Sequence, residues 1–115
     1  MRLNLRGLAV LPVLWGVFEA GANPAAAGPA LSTRWNRAEI PQAQCLARAE
    51  AALRSAGIEK TESTEQSRYG ENGDYAGLIR CVTSNGLAFF VASGPDRAKT
   101  DALAGQLFRS WTDYK

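Results

Sequence analysis

Residues 75–93 of the 115-residue chain read Tyr75-Ala-Gly-Leu-Ile-Arg-Cys-Val-Thr-Ser-Asn-Gly-Leu-Ala-Phe-Phe-Val-Ala-Ser93, and this stretch decides the fold. Two runs rich in apolar residues flank the dipeptide Asn85-Gly86, which favours a type I′ turn because Asn and Gly both tolerate positive φ. The stretch therefore predicts a β-hairpin. A two-residue loop would place Val82 opposite Phe89.

A second Asn-Gly dipeptide, Asn72-Gly73, precedes this hairpin and predicts another tight turn. The segment before it, about residues 60–69, is almost wholly polar. We interpret it as an edge strand whose charges protect it from association, with a loop as the alternative. A two-residue loop would place Glu65 opposite Arg80, a favourable pair, but would set two acidic residues opposite each other beside the turn. The register of this hairpin is therefore left open.

Helical patterns flank the strands on both sides. Residues 41–56 are alanine-rich, begin with a proline that suits the first helical position, and end at Gly57, where a left-handed cap is expected. The second helix is predicted to begin at the N-cap Asp96. Its apolar stripe follows the amphipathic spacing of Thr100, Leu103, Ala104, Leu107, Phe108 and Trp111.

The two cysteines of the chain, Cys45 and Cys81, are predicted to form a disulfide. An even number of cysteines is typical of short exported proteins with disulfides, and closing this loop would contribute roughly 3–4 kcal/mol. Redox centres generally place two cysteines close together, whereas these are 36 positions apart. Bridged Cα atoms lie within about 7 Å, so the first helix must cover the hairpin face that carries Cys81.

The predicted fold is α+β, in the order helix, three-stranded antiparallel meander, helix (αβββα), with two layers and one disulfide. The second helix is expected beside the first, on the same side of the sheet. We assign residues 41–115 to a single small domain and residues 28–40 to an N-terminal extended segment.

Residues 1–27 are interpreted as a secretory signal peptide. Two arginines precede an apolar run over residues 8–18, and small residues follow it. Cleavage fits after Ala22 or after Ala27, and we favour Ala27. The apolar run is shorter than the roughly 20 residues of a spanning helix, so no stable membrane anchor is expected after cleavage. The protein is predicted to be periplasmic or secreted.

Composition narrows the classes of function. Cleavage after Ala27 would remove two of the 13 basic residues and one of the 11 acidic ones, which leaves a net charge of +1. These charges are interspersed, whereas nucleic-acid binding usually needs a clustered basic face. The chain contains no histidine. It therefore lacks the base of a Ser-His site, and its two cysteines without histidine cannot complete the usual four-ligand zinc site, so no metal or cofactor is expected.

The hairpin is apolar on both faces, although a strand with one solvated face should alternate apolar and polar residues. The face opposite Cys81 carries Arg80 and a set of five apolar residues: Leu78, Val82, Leu87, Phe89 and Val91. Three coverings are considered for this face. The second helix, or residues 31–40 with Trp35, could fold over it; two copies could pair; or a partner protein or apolar ligand could dock there.

These residues predict a small exported accessory module that binds a protein partner or itself through this face. The pattern favours an interaction protein over an enzyme. The alternative is a small exported enzyme or ligand-binding protein that uses the polar strand and turn. Three aromatic residues, Tyr69, Tyr75 and Trp35, are candidates to line a ligand groove. The polar strand and turn also carry five acidic residues of the kind that glycosidases use in pairs: Glu59, Glu62, Glu65, Glu71 and Asp74. No residue is assigned a catalytic role.

The start of the second helix is a further candidate site, for an anion. Gly94, the free amide groups of the first turn, Arg97 and Lys99 have the chemistry that anions bind at helix N-termini. Asp96 would compete with such an anion. A capped helix with a solvated, charged first turn is the alternative interpretation.

Overall fold

A computed structural model describes residues 28–114, whose antiparallel sheet has five strands rather than the three predicted. The elements, in chain order, are β1 (Ala30–Arg37), α1 (Gln42–Ser55), β2 (Thr61–Ser63), β3 (Ser67–Asn72), β4 (Tyr75–Val82), β5 (Leu87–Gly94) and α2 (Arg97–Thr112). The strand order is β1-β5-β4-β3-β2. The α+β class and the disulfide are confirmed. The predicted signal peptide and its cleavage points lie outside the described residues.

Strand β1 is the first difference from the predicted meander. It comes from residues 28–40, the segment predicted to be extended, and it pairs with β5 at all eight of its positions. Ala30 lies opposite Gly94 and Arg37 lies opposite Leu87. The segment is therefore an edge strand of the sheet, and the alternative in which it folds over the hairpin is wrong.

The polar stretch of residues 60–69 is the second difference, because it contributes to two strands instead of one. Strand β2 ends at Ser63, and β3 begins at Ser67. The hydroxyl of Thr64 accepts hydrogen bonds from the backbone amides of Gln66 and Ser67, at 3.2 and 3.0 Å. Such a local side-chain bond stabilises a turn, so the chain reverses here and β2 becomes the edge strand.

The β4–β5 hairpin differs from its predicted register by two residues. Val82 lies opposite Leu87 rather than Phe89. The connection has four residues, a turn of 3-10 helix over Thr83–Asn85 followed by Gly86 at φ 71°. A shift of two positions leaves each side chain on its predicted face, because the side chains of a strand alternate with a period of two.

The β3–β4 hairpin is displaced in the same way. Asn72 pairs with Tyr75, so the two loop residues are Gly73 and Asp74. Arg80 therefore lies opposite Ser67 and not opposite Glu65. This register avoids the acidic pair beside the turn that made the predicted register doubtful.

Helix α1 ends in the left-handed cap that its sequence predicts. Gly57 has φ 88°, a backbone conformation that residues other than glycine rarely adopt. The amide of Gly57 donates to the carbonyl of Arg54 and the amide of Ile58 donates to that of Leu53, each at 3.0 Å. This pair of bonds is a Schellman motif, and it turns Ile58 back into the core, where it is fully buried.

Helix α2 begins as predicted, with Asp96 as its N-cap. The carboxylate of Asp96 accepts from the amide of Lys99 at 2.8 Å. The predicted stripe faces inward, with Thr100, Ala104, Leu107 and Trp111 buried and Leu103 and Phe108 partly buried.

Both helices lie on the same side of the sheet. Cys45 of α1 and Cys81 of β4 form the disulfide, with Cα atoms 6.1 Å apart. The indole nitrogen of Trp111 in α2 donates to the carbonyl of Cys45 at 3.2 Å. Phe90 of β5 packs edge-on against Phe108 and Trp111, with ring centroids 5.5 and 5.7 Å away. The core therefore fills one side of the sheet, as the disulfide predicts.

A polar cluster centred on Glu50 ties α1 to the β2–β3 end of the sheet. Thr61 donates to both carboxylate oxygens at 2.9 Å, and Arg54 makes an ion pair at 2.7 Å. The Arg68 guanidinium lies 3.9 Å away. Partial burial raises the pKa of Glu50, but the bond from Thr61 and the bond and charge of Arg54 together outweigh it, so the pKa lies below its ordinary value.

We expect Glu50→Gln to lower the free energy of unfolding by about 1 kcal/mol near neutral pH, because it removes a charged acceptor from this cluster. The pKa of Glu50 is lower in the folded chain than in the unfolded one. The stabilisation is therefore present above the ordinary glutamate pKa of about 4.3 and is lost as the pH falls through the folded value. Urea unfolding of both proteins at neutral and acidic pH measures the difference.

The exposed Glu59 supplies the matched control, since Glu59→Gln should leave the free energy of unfolding nearly unchanged at either pH. A difference between wild type and Glu50→Gln that stays constant on acidification would show that the charge of Glu50 does not stabilise the fold.

Candidate functional site

The side of the sheet that faces away from both helices, here called the open face, is the candidate site. Alternation along the strands places the five predicted residues Leu78, Val82, Leu87, Phe89 and Val91 on it together. All five are at least partly exposed. Phe89 has 37% of its surface exposed, although its chain neighbour Phe90 on the opposite side has none.

Strand β1 extends the open face with two large apolar residues. Trp35 lies directly opposite Phe89, and its side of β1 also carries Leu31. Their exposed fractions are 62% and 64%. Sequence reasoning missed both as members of this face. The alternation of Leu31, Thr33 and Trp35 is the signal that would have found them, because it is typical of a strand with one apolar side.

Strand β3 adds Tyr69 at the other end of the open face, opposite Leu78. In register, one row of side chains therefore runs across all five strands: Thr33, Val91, Leu78, Tyr69 and Glu62. The apolar part of this row continues from β5 to β3, and the charged part lies at the β2 edge. Large contiguous apolar patches are uncommon on monomeric proteins and usually mark interaction sites.

Arg80 is the charged group at the centre of the open face, between Phe89 on β5 and Ser67 on β3. Its guanidinium donates to the Ser67 hydroxyl at 3.1 Å and to the Gln66 side-chain oxygen at 2.6 Å. A guanidinium has five N–H donors, so these two bonds hold its position and leave donors for a further acceptor.

A groove of about 650 Å³ crosses the open face near β3. Its floor includes Leu78 and Val91, and Tyr69 forms one wall. Glu62 and Glu71 lie on its border. The remaining acidic candidates, Glu59, Glu65 and Asp74, are exposed and do not line it.

The aromatic residues proposed for a ligand groove are divided between the two faces. Tyr69 and Trp35 lie on the open face but on strands β3 and β1, with β4 and β5 between them. Tyr75 lies on the helix side, where its ring packs against Gly94. The structure therefore does not bring these three rings into one groove.

The candidate anion site is divided as well. Arg97 and Lys99 are exposed, but Gly94 is buried beneath the Tyr75 ring. The carboxylate of Asp96 accepts a hydrogen bond from the backbone amide of Lys99, as the alternative of a capped helix expected. The anion site stays a prediction.

Two further properties of residues 28–114 bear on function. No group of three or more cysteine, aspartate or glutamate side chains in this range is arranged to hold a metal ion. Neither helix in the same range is long and apolar enough to cross a membrane.

Comparison with known protein families, curated proteins and solved structures finds no match for the chain.

Proposed function

We propose that this chain is a small accessory module that binds another protein through its open face. The carrying observation is the exposure of Trp35, Leu31 and Phe89 on one side of a sheet whose other side packs against two helices. Aromatic residues are enriched at the centres of protein interfaces, where they fill pockets on the partner.

The dimensions of the open face support a protein rather than a small molecule as the main partner. Five strands with four rows of side chains span roughly 20 Å in each direction between the outermost positions. With the side chains included, this area is comparable with the ~800 Å² that one partner buries in a standard interface.

Arg80 supports a specific chemistry for the partner. The free donors of its guanidinium lie among apolar side chains, where an unpaired charge is costly once water leaves. A partner that covers the face must therefore supply an acceptor over Arg80. We propose an apolar protein surface that carries one carboxylate or free carbonyl near its centre.

An exported, oxidising compartment is part of the proposal. The buried disulfide between Cys45 and Cys81 is compatible with such a location, because disulfides persist outside the reducing cytoplasm. The signal-like pattern of residues 1–27 also supports export.

The groove beside Tyr69 favours a second candidate function, the binding of a small apolar ligand. Its volume falls within the usual range of ligand sites, and its floor is apolar. A ligand with an apolar body and a polar group would suit this groove, because Lys60 lines it together with Glu62 and Glu71.

We expect Phe89→Glu to abolish association with the partner while the protein stays folded, because a charge on the open face would be desolvated in the complex. The measurement is native mass spectrometry of the protein recovered from the exported fraction of its own host, for wild type and variant. Circular dichroism and urea unfolding establish that the variant is folded. Trp35→Glu, at a more exposed position, is the second variant should Phe89→Glu unfold.

Ala102→Glu is the matched control, since it adds the same charge at an exposed position of α2, away from the open face. Association with another protein that survives both open-face variants would refute the proposal, and so would unfolding by both, which would mark the face as core. A small-molecule adduct that disappears with Tyr69→Ala would favour the second candidate function instead.

A further inference from the structure

The two edges of the sheet differ in a way that points to a second interaction. Strand β2 forms one edge with only three residues, all polar. Strand β1 forms the other with eight, and its pairing with β5 is continuous from Ala30 to Arg37. Natural proteins protect edge strands by short length, charged side chains, proline or bulges. Strand β2 is protected by its short length, whereas β1 has eight residues without proline or lysine, and its two arginines are each paired with an acidic side chain of the same chain.

We propose that the outer edge of β1 pairs with β1 of a second copy of this chain, antiparallel and about a two-fold axis perpendicular to the sheet. The two five-stranded sheets then form one sheet of ten strands. The outer backbone N–H and C=O groups of β1 that have no partner within residues 28–114 become hydrogen-bonded in this arrangement, which is the ordinary mode of strand addition. The carbonyl of Thr33 already accepts a hydrogen bond from the Arg34 guanidinium at 3.1 Å. The inference rests on the edge of the sheet, whereas the proposed function rests on the open face, and Leu31 and Trp35 of β1 belong to both.

Symmetry restricts the register of this pairing. Residues opposite each other in a continuous sheet point to the same face, so a single residue of β1 must lie on the two-fold axis and face itself. Placing Thr33 or Arg34 on the axis gives the longest overlap of the strand with itself. Arg34 on the axis would set two guanidinium groups directly opposite each other, which is unfavourable. Thr33 is therefore the residue on the axis.

This register makes the exposed residues of β1 complementary. With Thr33 on the axis, Leu31 lies opposite Trp35 of the second copy, and Trp35 lies opposite Leu31 of the second copy. Aromatic and aliphatic side chains in opposite positions stabilise a strand pair. The two most exposed large apolar residues of the sheet thus bury part of each other's surface.

The charges of β1 do not oppose the pairing. Arg34 lies on the helix side, where its guanidinium is 3.2 Å from the carboxylate of Asp101. Ser32 donates to the same carboxylate at 2.7 Å. Arg37, at the end of the strand, is paired with Glu39 at 2.9 Å. Each arginine of β1 is therefore already paired with an acidic side chain of its own copy where the two β1 strands meet.

Oxidative cross-linking tests both the pairing and its register. Opposite Cα atoms of an antiparallel pair lie about 4.5 or 5.5 Å apart, which a disulfide spans. Thr33→Cys in the full chain should therefore give a disulfide-linked dimer with mild oxidant. Arg37→Cys is the matched control on the same strand and face. It should stay monomeric, because the two copies of residue 37 lie roughly 27 Å apart in this register.

We expect Thr33→Cys to cross-link on the order of a hundredfold faster than Arg37→Cys at micromolar concentration, because pre-associated thiols react at millimolar effective concentration. The wild type should sediment as a dimer, and Thr33→Lys as a monomer. Equal cross-linking rates for the two cysteine variants would overturn the proposal. A monomeric wild type would do the same.

The same assay separates this proposal from the proposed function. Phe89 lies on β5, so the double variant Thr33→Cys/Phe89→Glu should cross-link as readily as Thr33→Cys alone. If Thr33→Cys cross-links but the wild type binds no partner protein, only the proposed function is refuted. Partner binding with no cross-linking at Thr33→Cys would refute only the edge pairing.

Discussion

Phe90→Ala is expected to lower the free energy of unfolding by about 3–5 kcal/mol, a large part of the stability of a domain of this size. Phe90 has no exposed surface, and it lies at the centre of the layer between the sheet and α2. Its removal leaves a cavity and also breaks the edge-on contacts with Phe108 and Trp111, which contribute beyond their buried area. Urea unfolding measures the loss.

Phe89→Ala is the control for this experiment, since the two phenylalanines are chain neighbours with the same covalent structure. Phe89 points to the open face and retains 37% of its exposure, so its truncation should cost about 1 kcal/mol. The comparison therefore measures the difference between the two faces. Equal losses at both positions would mean that the open face is packed as tightly as the helix side in solution.

Removal of the disulfide is expected to have an effect of similar size. The double variant Cys45→Ala/Cys81→Ala should lose roughly 3–4 kcal/mol of unfolding free energy, chiefly because its unfolded chain is no longer closed over 36 residues. Both side chains are fully buried, and alanine leaves no unsatisfied polar group in their place. Denaturant unfolding of the double variant and of the reduced wild type should give similar values.

Cys45→Ser/Cys81→Ser provides a matched comparison for the same bond. It removes the same covalent link but buries two hydroxyl groups, so it should be less stable than the alanine pair. An alanine variant within about 1 kcal/mol of the wild type would show that the unfolded chain is already compact around these two elements.

Local features of the fold were predictable because short-range chemistry determines them. Gly57 caps α1 since it accepts positive φ, and Asp96 caps α2 since its carboxylate accepts an amide bond within its own turn. The faces of β4 and β5 were predictable as well, because alternation alone assigns them. The disulfide then determined the side on which α1 must lie.

The register of the β4–β5 hairpin was wrong by two residues because a dipeptide does not determine the length of a connection. Asn85-Gly86 predicts a two-residue loop, but the strand ends at Val82 and a helical turn intervenes. The turn is stabilised by tertiary contacts of Gln42, which accepts from the Thr83 hydroxyl at 2.6 Å and donates to the Cys81 carbonyl at 2.9 Å. These contacts come from a residue about forty positions away in the chain.

Strand β1 was missed for a related reason. Its alternation indicates a strand but not the partner of that strand, and β5 lies fifty or more positions later in the chain, so no local signal pairs the two. The polar stretch that became β2 and β3 was likewise divided by one hydroxyl, that of Thr64. Strand pairing at such separations depends on the assembled sheet.

The amino-acid sequence by itself determined the two helices, their caps, the central hairpin and its two faces, and the disulfide between Cys45 and Cys81. All of these depend on periodicity, on turn chemistry or on there being only two cysteines. The tertiary structure alone decided the number of strands, the registers and the exposure of Trp35 on the open face. Those features depend on which backbone groups pair across the sheet, and this pairing is determined by contacts between residues far apart in the chain.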